Sequence, residues 1–417
     1  MNALFFAGFA VAVFCSFLSA GAPGVRSVGP GSSVAINSAC PSCDPQRQEQ
    51  SEEPSGSYSA KGFVGDSACR DCHREQFDSF ETTPHHLTSR LPTQRSVAGS
   101  FAARHNTMAT FNPELSFQME MRDGQFFETA IRQKNGHITK QSARLDIVVG
   151  SATKGQTYLY WKQNALFELP LSYWSSLKRW VNSPGYVDGS ADFDRPATPR
   201  CLECHATFFR PLTPSVTENR YAEDFVLGIS CERCHGPGKQ HIQETTASKS
   251  TLRAEAKLPP SGLPRERQID ICAQCHAGIG RSLTPAFSFR PGDDLSAFLA
   301  LPQPGAADRV DVHGNQVALL ERSRCFQSTP RMTCTTCHDV HSRSLPAASY
   351  SARCLECHKP EQCGEVAKLG TQSASDCIRC HMPVQESGQL TVDTDETRLP
   401  AKVRNHWIRV YPKAANR

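Results

Sequence analysis

Residues 231–241 read Cys-Glu-Arg-Cys-His-Gly-Pro-Gly-Lys-Gln-His, and the first five of them decide how the rest of the chain is read. The Cys-x-x-Cys-His unit occurs seven times: Cys69-Cys72-His73, Cys201-Cys204-His205, Cys231-Cys234-His235, Cys272-Cys275-His276, Cys334-Cys337-His338, Cys354-Cys357-His358 and Cys377-Cys380-His381. With 19 cysteines and 15 histidines in 417 residues, chance supplies roughly 0.03 such units. Two thiols three positions apart on a short turn can add to the two vinyl groups on one edge of a haem, and the next residue then offers imidazole to the iron. A structural zinc site explains paired cysteines but does not call for histidine directly after each second one. A redox dithiol needs a single pair. The motifs therefore point to seven covalent c-type haems, with the fourteen motif cysteines as attachment points and the seven motif histidines as iron ligands.

Spacing sets the architecture. Six motifs fall between Cys201 and His381, with 30, 41, 62, 20 and 23 residues between successive first cysteines, so the chain is no regular solenoid. So little polypeptide per haem leaves porphyrin as much of the buried apolar mass. The expected fold is a multihaem cytochrome c, mainly short helices and loops wrapped around stacked haems. Phe117, Met119 and Met121 alternate before Asp123-Gly124, and Phe127, Thr129 and Ile131 after it, the pattern of a hairpin; a third strand fits 145–149. A small antiparallel β element is thus expected near 116–150. The aromatic stretch 155–187 suits haem faces or an ordinary core equally. The divisions read as 1–22, 23–59, 60–200 with one haem and the β element, and 201–417 with six haems.

Eight histidines lie outside the motifs, and a low-spin haem needs a second axial ligand. His85, His105, His241, His313, His341 and His406 are the six candidates. His341, three after His338, cannot swing back to the same iron and should reach an adjacent one. His241 follows glycines that let backbone turn closely around a porphyrin, and His406 sits where the tail could return. His137, after Asn135-Gly136, reads as a solvated hairpin residue, and His86 as a hydrogen-bonding neighbour of His85. Met108, Met332 and Met382 remain as thioether alternatives. Six candidates for seven haems leave one haem with His86, methionine, a lower-ranked residue or an open position.

Cys40-Pro41-Ser42-Cys43 is followed by Asp44 and offers no ligand at that place. Cys325 and Cys363 are left over and could pair as a disulfide in an oxidising compartment. The apolar run 4–18 followed by small residues reads as a secretory signal (1–22) before a disordered leader (23–59). It lacks basic residues at its start, so an uncleaved membrane tether stays open. The expected location is the periplasm or another extracytoplasmic space. Formal charge is +4, too weak a field for nucleic-acid binding. Two propionates per haem would turn it to roughly −10 and favour partners with a basic docking face.

On Phe63-Val64-Gly65 before the first motif, 231–241, Cys272-Ala273-Gln274-Cys275-His276, His313-Gly314, 332–341, 377–383 and His406-Trp407, the chain resembles the multihaem cytochromes c of the doubled Cys-x-x-Cys-His group. That group is related to the tetrahaem cytochrome that takes electrons from hydroxylamine oxidoreductase. The resemblance implies distal roles for histidines in the contexts of His85, His105, His241, His313, His341 and His406. The function expected is electron transfer through mostly bis-histidine haems, with a redox protein or a quinol-linked membrane complex as partner. The alternative is an oxidoreductase acting on a small nitrogen or sulfur compound at one open haem. No catalytic side chain is assigned, and no Cys-x-x-Cys-Lys unit like that of pentahaem nitrite reductases is present.

Overall fold

The alternation around Asp123-Gly124 builds a hairpin, and the same device repeats along the next 60 residues. In this computed structural model, which describes residues 62–411 apart from 214, 216, 248–258, 303–309, 311–314, 344 and 394–397, eleven strands lie between 89 and 196. They are β1 (Ser89–Arg90), β2 (Thr107–Ala109), β3 (Leu115–Arg122), β4 (Gln125–Lys134), β5 (His137–Arg144), β6 (Ile147–Val149), β7 (Gly155–Lys162), β8 (Ala165–Glu168), β9 (Leu171–Trp174), β10 (Arg179–Asn182) and β11 (Arg195–Pro196). The four strands β2-β3-β4-β5 form one antiparallel sheet. A second runs β1-β6-β7-β8-β11, with β9 on β7 and β10 on β9. Asp123-Gly124 and Asn135-Gly136 carry positive φ at both positions, the requirement of the two-residue turns that close β3–β4 and β4–β5. His137 is exposed at the second turn, as expected. The β structure is larger than the small element expected near 116–150, because the aromatic stretch forms strands as well.

That aromatic stretch mostly packs on itself. Tyr158 and Trp180 are buried and their rings lie 5.5 Å apart; Tyr173 meets Trp180 at the same separation. A Cβ on Gly99 would fall 2.1 Å from the Trp180 ring, so glycine is the residue that lets the indole in. A second core joins Phe63, Ile147, Leu166, Leu202, Phe208 and Phe287, and so runs across residue 200, where the sequence suggested a division.

Beyond 196 the described chain has short helices: α3 (Pro199–His205), α4 (Cys231–His235), α5 (Lys239–Ala247), α6 (Arg265–His276), α7 (Gln316–Glu321), α8 (Arg324–Ser328), α9 (Ala347–Leu355), α10 (Val366–Leu369) and α11 (Cys377–His381); α1 (Ser67–Arg70) and α2 (Arg74–Phe80) precede the sheets. Three small antiparallel pairs are interleaved: β12 (Ala206–Pro211) with β13 (Tyr221–Leu227), β14 (Arg281–Ser282) with β15 (Leu299–Ala300), and β16 (Val384–Asp393) with β17 (Arg398–Arg404). The remaining apolar cluster is small and centres on Ala273, Phe289, Leu295 and Leu299. Among the described residues no helix is long and apolar enough to cross a membrane. The divisions 1–22 and 23–59, the Cys40–Cys43 pair and His313 lie outside the described residues. Cys325 and Cys363 are free thiols, so the disulfide suggested by cysteine parity is not formed. Cys325 acts electrostatically on Cys337, and Cys363 on Cys380.

Inside the β unit, Glu128 is fully buried. One carboxyl oxygen accepts the Leu171 N–H at 3.0 Å and the other has no hydrogen-bond partner. Burial pushes this carboxyl well above its ordinary 4.5, so the folded state holds a proton that the unfolded chain releases. Stability contributed this way is present below about pH 4.5 and is lost as pH rises toward the raised value. Glu168, pushed up to about 7 by burial, slopes the same way. Glu128→Gln should flatten the decline between pH 5 and 8 relative to wild type, measured as the difference in denaturant midpoint across that range.

Candidate haem-binding site

Each Cys-x-x-Cys-His unit lies in or directly beside a short helical turn, and the units border a common space. The cavity is about 3060 Å³, several times the roughly 300–1,000 Å³ of an ordinary ligand pocket. All fourteen motif cysteines but Cys72 line it, as do all seven motif histidines together with His85, His241, His341 and His406.

These four additional histidines are not scattered. His241 faces His73 with ring centres 6.4 Å apart, His85 faces His276 at 6.1 Å, His341 faces His235 at 5.9 Å and His406 faces His338 at 6.2 Å. Every one of these histidine pairs joins a motif histidine to one outside the motifs. Two imidazoles on opposite sides of one iron, each nitrogen about 2.0 Å from the metal and about 1.1 Å from its own ring centre, place those centres about 6.2 Å apart. The spacing fits a haem iron held between each pair.

The protonation pattern fits too, because a ligand imidazole must be neutral. Burial lowers His85 and His338, and brings His276 and His406 down to about 4. His406 places Nδ1 3.1 Å from the Arg404 carbonyl, and His381 does the same with that of Arg409. An Nδ1–H donated to carbonyl leaves the Nε2 lone pair for a metal. His205 Nδ1 lies 3.1 Å from the Thr88 hydroxyl.

Four of the six expected distal histidines are therefore brought opposite a motif histidine. His105 is not: it is exposed in the turn before β2 and does not line the cavity. The N-terminal segment that was expected to deliver it is instead drawn into the β2–β3 pairing, where the Asn106 side chain bonds the Met119 carbonyl. His86 stands 3.5 Å from Asp66 and edge-on to Phe80. Met108 is buried in the β core, whereas Met332 and Met382 line the cavity.

The thiols report which motifs adjoin. Cys69 interacts electrostatically with Cys231, Cys204 with Cys275, Cys272 with Cys334, and Cys354 with Cys377. Cys234 acts electrostatically on Cys272, and Cys337 on Cys354.

What the sequence reading missed lies between the cysteines. Glu232 is buried and takes the N–H groups of Val64, Gly65 and Gly238 at 2.8–2.9 Å, clamping the first motif to the third. Asp66 accepts the Cys231 N–H at 2.9 Å. Glu203 accepts the Phe287 N–H at 2.8 Å, Arg233 donates to the Glu203 carbonyl and Arg200 to that of Gln274. The only sequence signal was charge inside a motif that itself constrains just three of its five positions.

Comparison with known proteins bears on the class. The family described as "Cytochrome c554 and c-prime" matches residues 170–236. The chain is 21% identical over 395 residues to Dissimilatory sulfite reductase MccA of Wolinella succinogenes, covering 78% of this chain and 51% of that protein. It is 24% identical over 194 residues to Multiheme cytochrome MtrA of Shewanella baltica, covering 43% and 51%. The chain spans about half the length of these curated relatives. Outer Cell Wall Cytochrome OcwA shares the fold, with a TM-score of 0.52 at 16% identity over 85% of this chain and 81% of that one. The chain is thus similar to multihaem c-type cytochromes, proteins that bind haem c covalently.

Substitutions at three positions test this arrangement. Glu232→Ala removes the acceptor of three N–H groups and should cost about 3 kcal/mol of stability, seen as a lower thermal midpoint, with Glu232→Gln intermediate. His406→Ala should convert one additional iron per chain to the high-spin form in the ferric EPR spectrum, while His105→Ala leaves the spectrum unchanged.

Proposed function

We propose that this protein carries electrons through seven covalently bound c-type haems in an extracytoplasmic space. The observation that carries the reading is the set of four motif–distal histidine pairs with ring centres 5.9–6.4 Å apart. Haem supplies the one-electron chemistry when bound; the chain's residues attach it, ligate it and keep water from it. Bis-histidine ligation leaves the iron no exchangeable position, which suits transfer without bond making. Here His241, His85, His341 and His406 serve as distal ligands, and the cysteines of all seven motifs as attachment points.

The thiol contacts support an order. Motif one adjoins three through Cys69 and Cys231, three adjoins four through Cys234 and Cys272, and four adjoins five through Cys272 and Cys334. Five adjoins six through Cys337 and Cys354, and six adjoins seven through Cys354 and Cys377. The Cys201–His205 motif joins by Cys204 to Cys275 as a branch. Electrons would thus run between an N-terminal and a C-terminal haem, with the redox partner, a protein or a quinol-linked membrane complex, at either end. The second reading is an oxidoreductase acting on a small nitrogen or sulfur compound. Its support is that His358 and His381 have no facing histidine among the described residues, and one relative is named as a sulfite reductase.

The test is haem stoichiometry by pyridine haemochrome and intact mass, followed by a reductive titration. Seven haems per chain, reduced over a broad range of potential, are expected. Zinc without iron, or haem absent from the motif cysteines, would overturn the reading.

A further inference from the structure

We propose that Ser323 is a positioning residue for the distal imidazole of His406: its hydroxyl latches the C-terminal strap 405–411 to the corner between α7 and α8, and so holds that imidazole opposite His338. The inference rests on the reading of His406 as an iron ligand and assigns a role to a side chain outside every motif.

The strap needs holding. β17 ends at Arg404, and residues 405–410 form neither helix nor strand, so their backbone groups have no ladder to join. Before His406 the chain is fixed by buried Asn405, which donates its N–H to the Pro383 carbonyl at 3.0 Å and its side-chain amide to Gln385 at 2.8 Å. Beyond His406, Ser323 takes over. Its hydroxyl accepts the Ile408 N–H at 2.8 Å and donates to the carbonyl of His406 itself at 3.3 Å, bridging the two residues that flank Trp407. The Arg322 and Arg409 guanidinium groups sandwich the Trp407 ring, each 3.7 Å from its centre.

Ser323 is fully buried and stands at the N-cap of α8, yet its side chain makes no cap bond. Serine at that place ordinarily accepts an N–H of the first helical turn; here the hydroxyl is given to the strap. Its own backbone is fixed on both sides, the N–H on the Leu320 carbonyl and the carbonyl on the Gln327 N–H. α8 is in turn tied to the motif that His406 serves. Arg265 donates to the carbonyls of Phe326, in α8, and of Met332, two residues before Cys334, both at 2.9 Å. The latch therefore refers the distal imidazole to the same piece of chain that carries Cys334, Cys337 and His338.

The experiment uses the holoprotein. Ferric protein is mixed with saturating cyanide, and visible spectra follow the phases in which cyanide bonds to iron as a histidine nitrogen leaves it. The phase lost in His406→Ala belongs to His406. Ser323→Ala and Ser323→Gly should both speed that phase about threefold to tenfold, the effect of losing one hydrogen bond of ordinary strength. Glycine serves as an N-cap almost as well as serine, and alanine does not. Equal acceleration in the two variants therefore supports the latch, whereas acceleration in the alanine variant alone makes Ser323 a cap and overturns the inference. Ser323→Gly placed on His406→Ala should alter no remaining phase; a change there means a general loosening and also overturns it. A Ser323→Gly protein that exchanges no faster than wild type, including one inert to cyanide, overturns the latch and leaves His406 as a ligand. His406→Ala with unchanged cyanide phases and an unchanged ferric EPR spectrum overturns the ligand reading and this inference together, and that variant tells the two failures apart.

Discussion

The architecture depends on one constraint: in four pairs, an imidazole from one part of the chain stands about 6 Å from an imidazole of a distant part, the spacing that an iron between them would require. His85 precedes the sheets and meets His276 at the end of α6; His406 near the C-terminus meets His338. With iron bound, each such pair would be a long-range crosslink, and crosslinks that close long loops constrain the unfolded chain most. Apolar contacts do not supply this role here. The cavity of about 3060 Å³ holds the lining side chains of the surrounding helices apart, so those helices do not close on one another as an apolar core does.

The two parts of the molecule consequently differ in what holds them. Between 89 and 196 the core is entirely polypeptide, with Phe117, Met119, Tyr158 and Leu171 at essentially zero exposure. The helices after 230 have no comparable interior. Their mutual contacts are buried polar clamps, and Glu232 with three backbone N–H partners is the fullest of them. Such a clamp fixes orientation more than it adds stability, since burying a carboxylate costs much of what its hydrogen bonds return. It sets motif one against motif three with the precision that an iron between His73 and His241 requires.

Much of this was legible in the sequence, for identifiable reasons. The Cys-x-x-Cys-His spacing is a covalent requirement of the cofactor, so it survives any fold. The Asp123-Gly124 and Asn135-Gly136 turns were legible because positive φ at two successive residues selects those types. His341 was legible because its offset from His338 forbids the same iron. His105 misled because its neighbourhood looks like other distal contexts, while the pairing of β2 with β3, a long-range event, decides where it goes. The aromatic stretch 155–187 was ambiguous because strand burial and porphyrin packing select the same residue types; the structure divides them, leaving Trp174 on the cavity wall and Tyr158 and Trp180 in the protein core. Glu203, Glu232, Arg233 and Gln274 were invisible because a motif's free positions carry no pattern.

The β unit also shapes the cavity through what it excludes. Val149, Thr157, Leu159 and Trp174 form part of the cavity wall near the Cys201 motif, and they come from a sheet whose other side is closed by its own aromatic core. A rigid, apolar wall lowers the local dielectric and keeps water from the haem edge, which are levers on reduction potential independent of the axial ligands. The C-terminal motifs border the cavity from the short helices α9, α10 and α11, which are flanked by charged side chains. In the proposed seven-haem protein, burial as well as ligation would then grade the potentials along the chain.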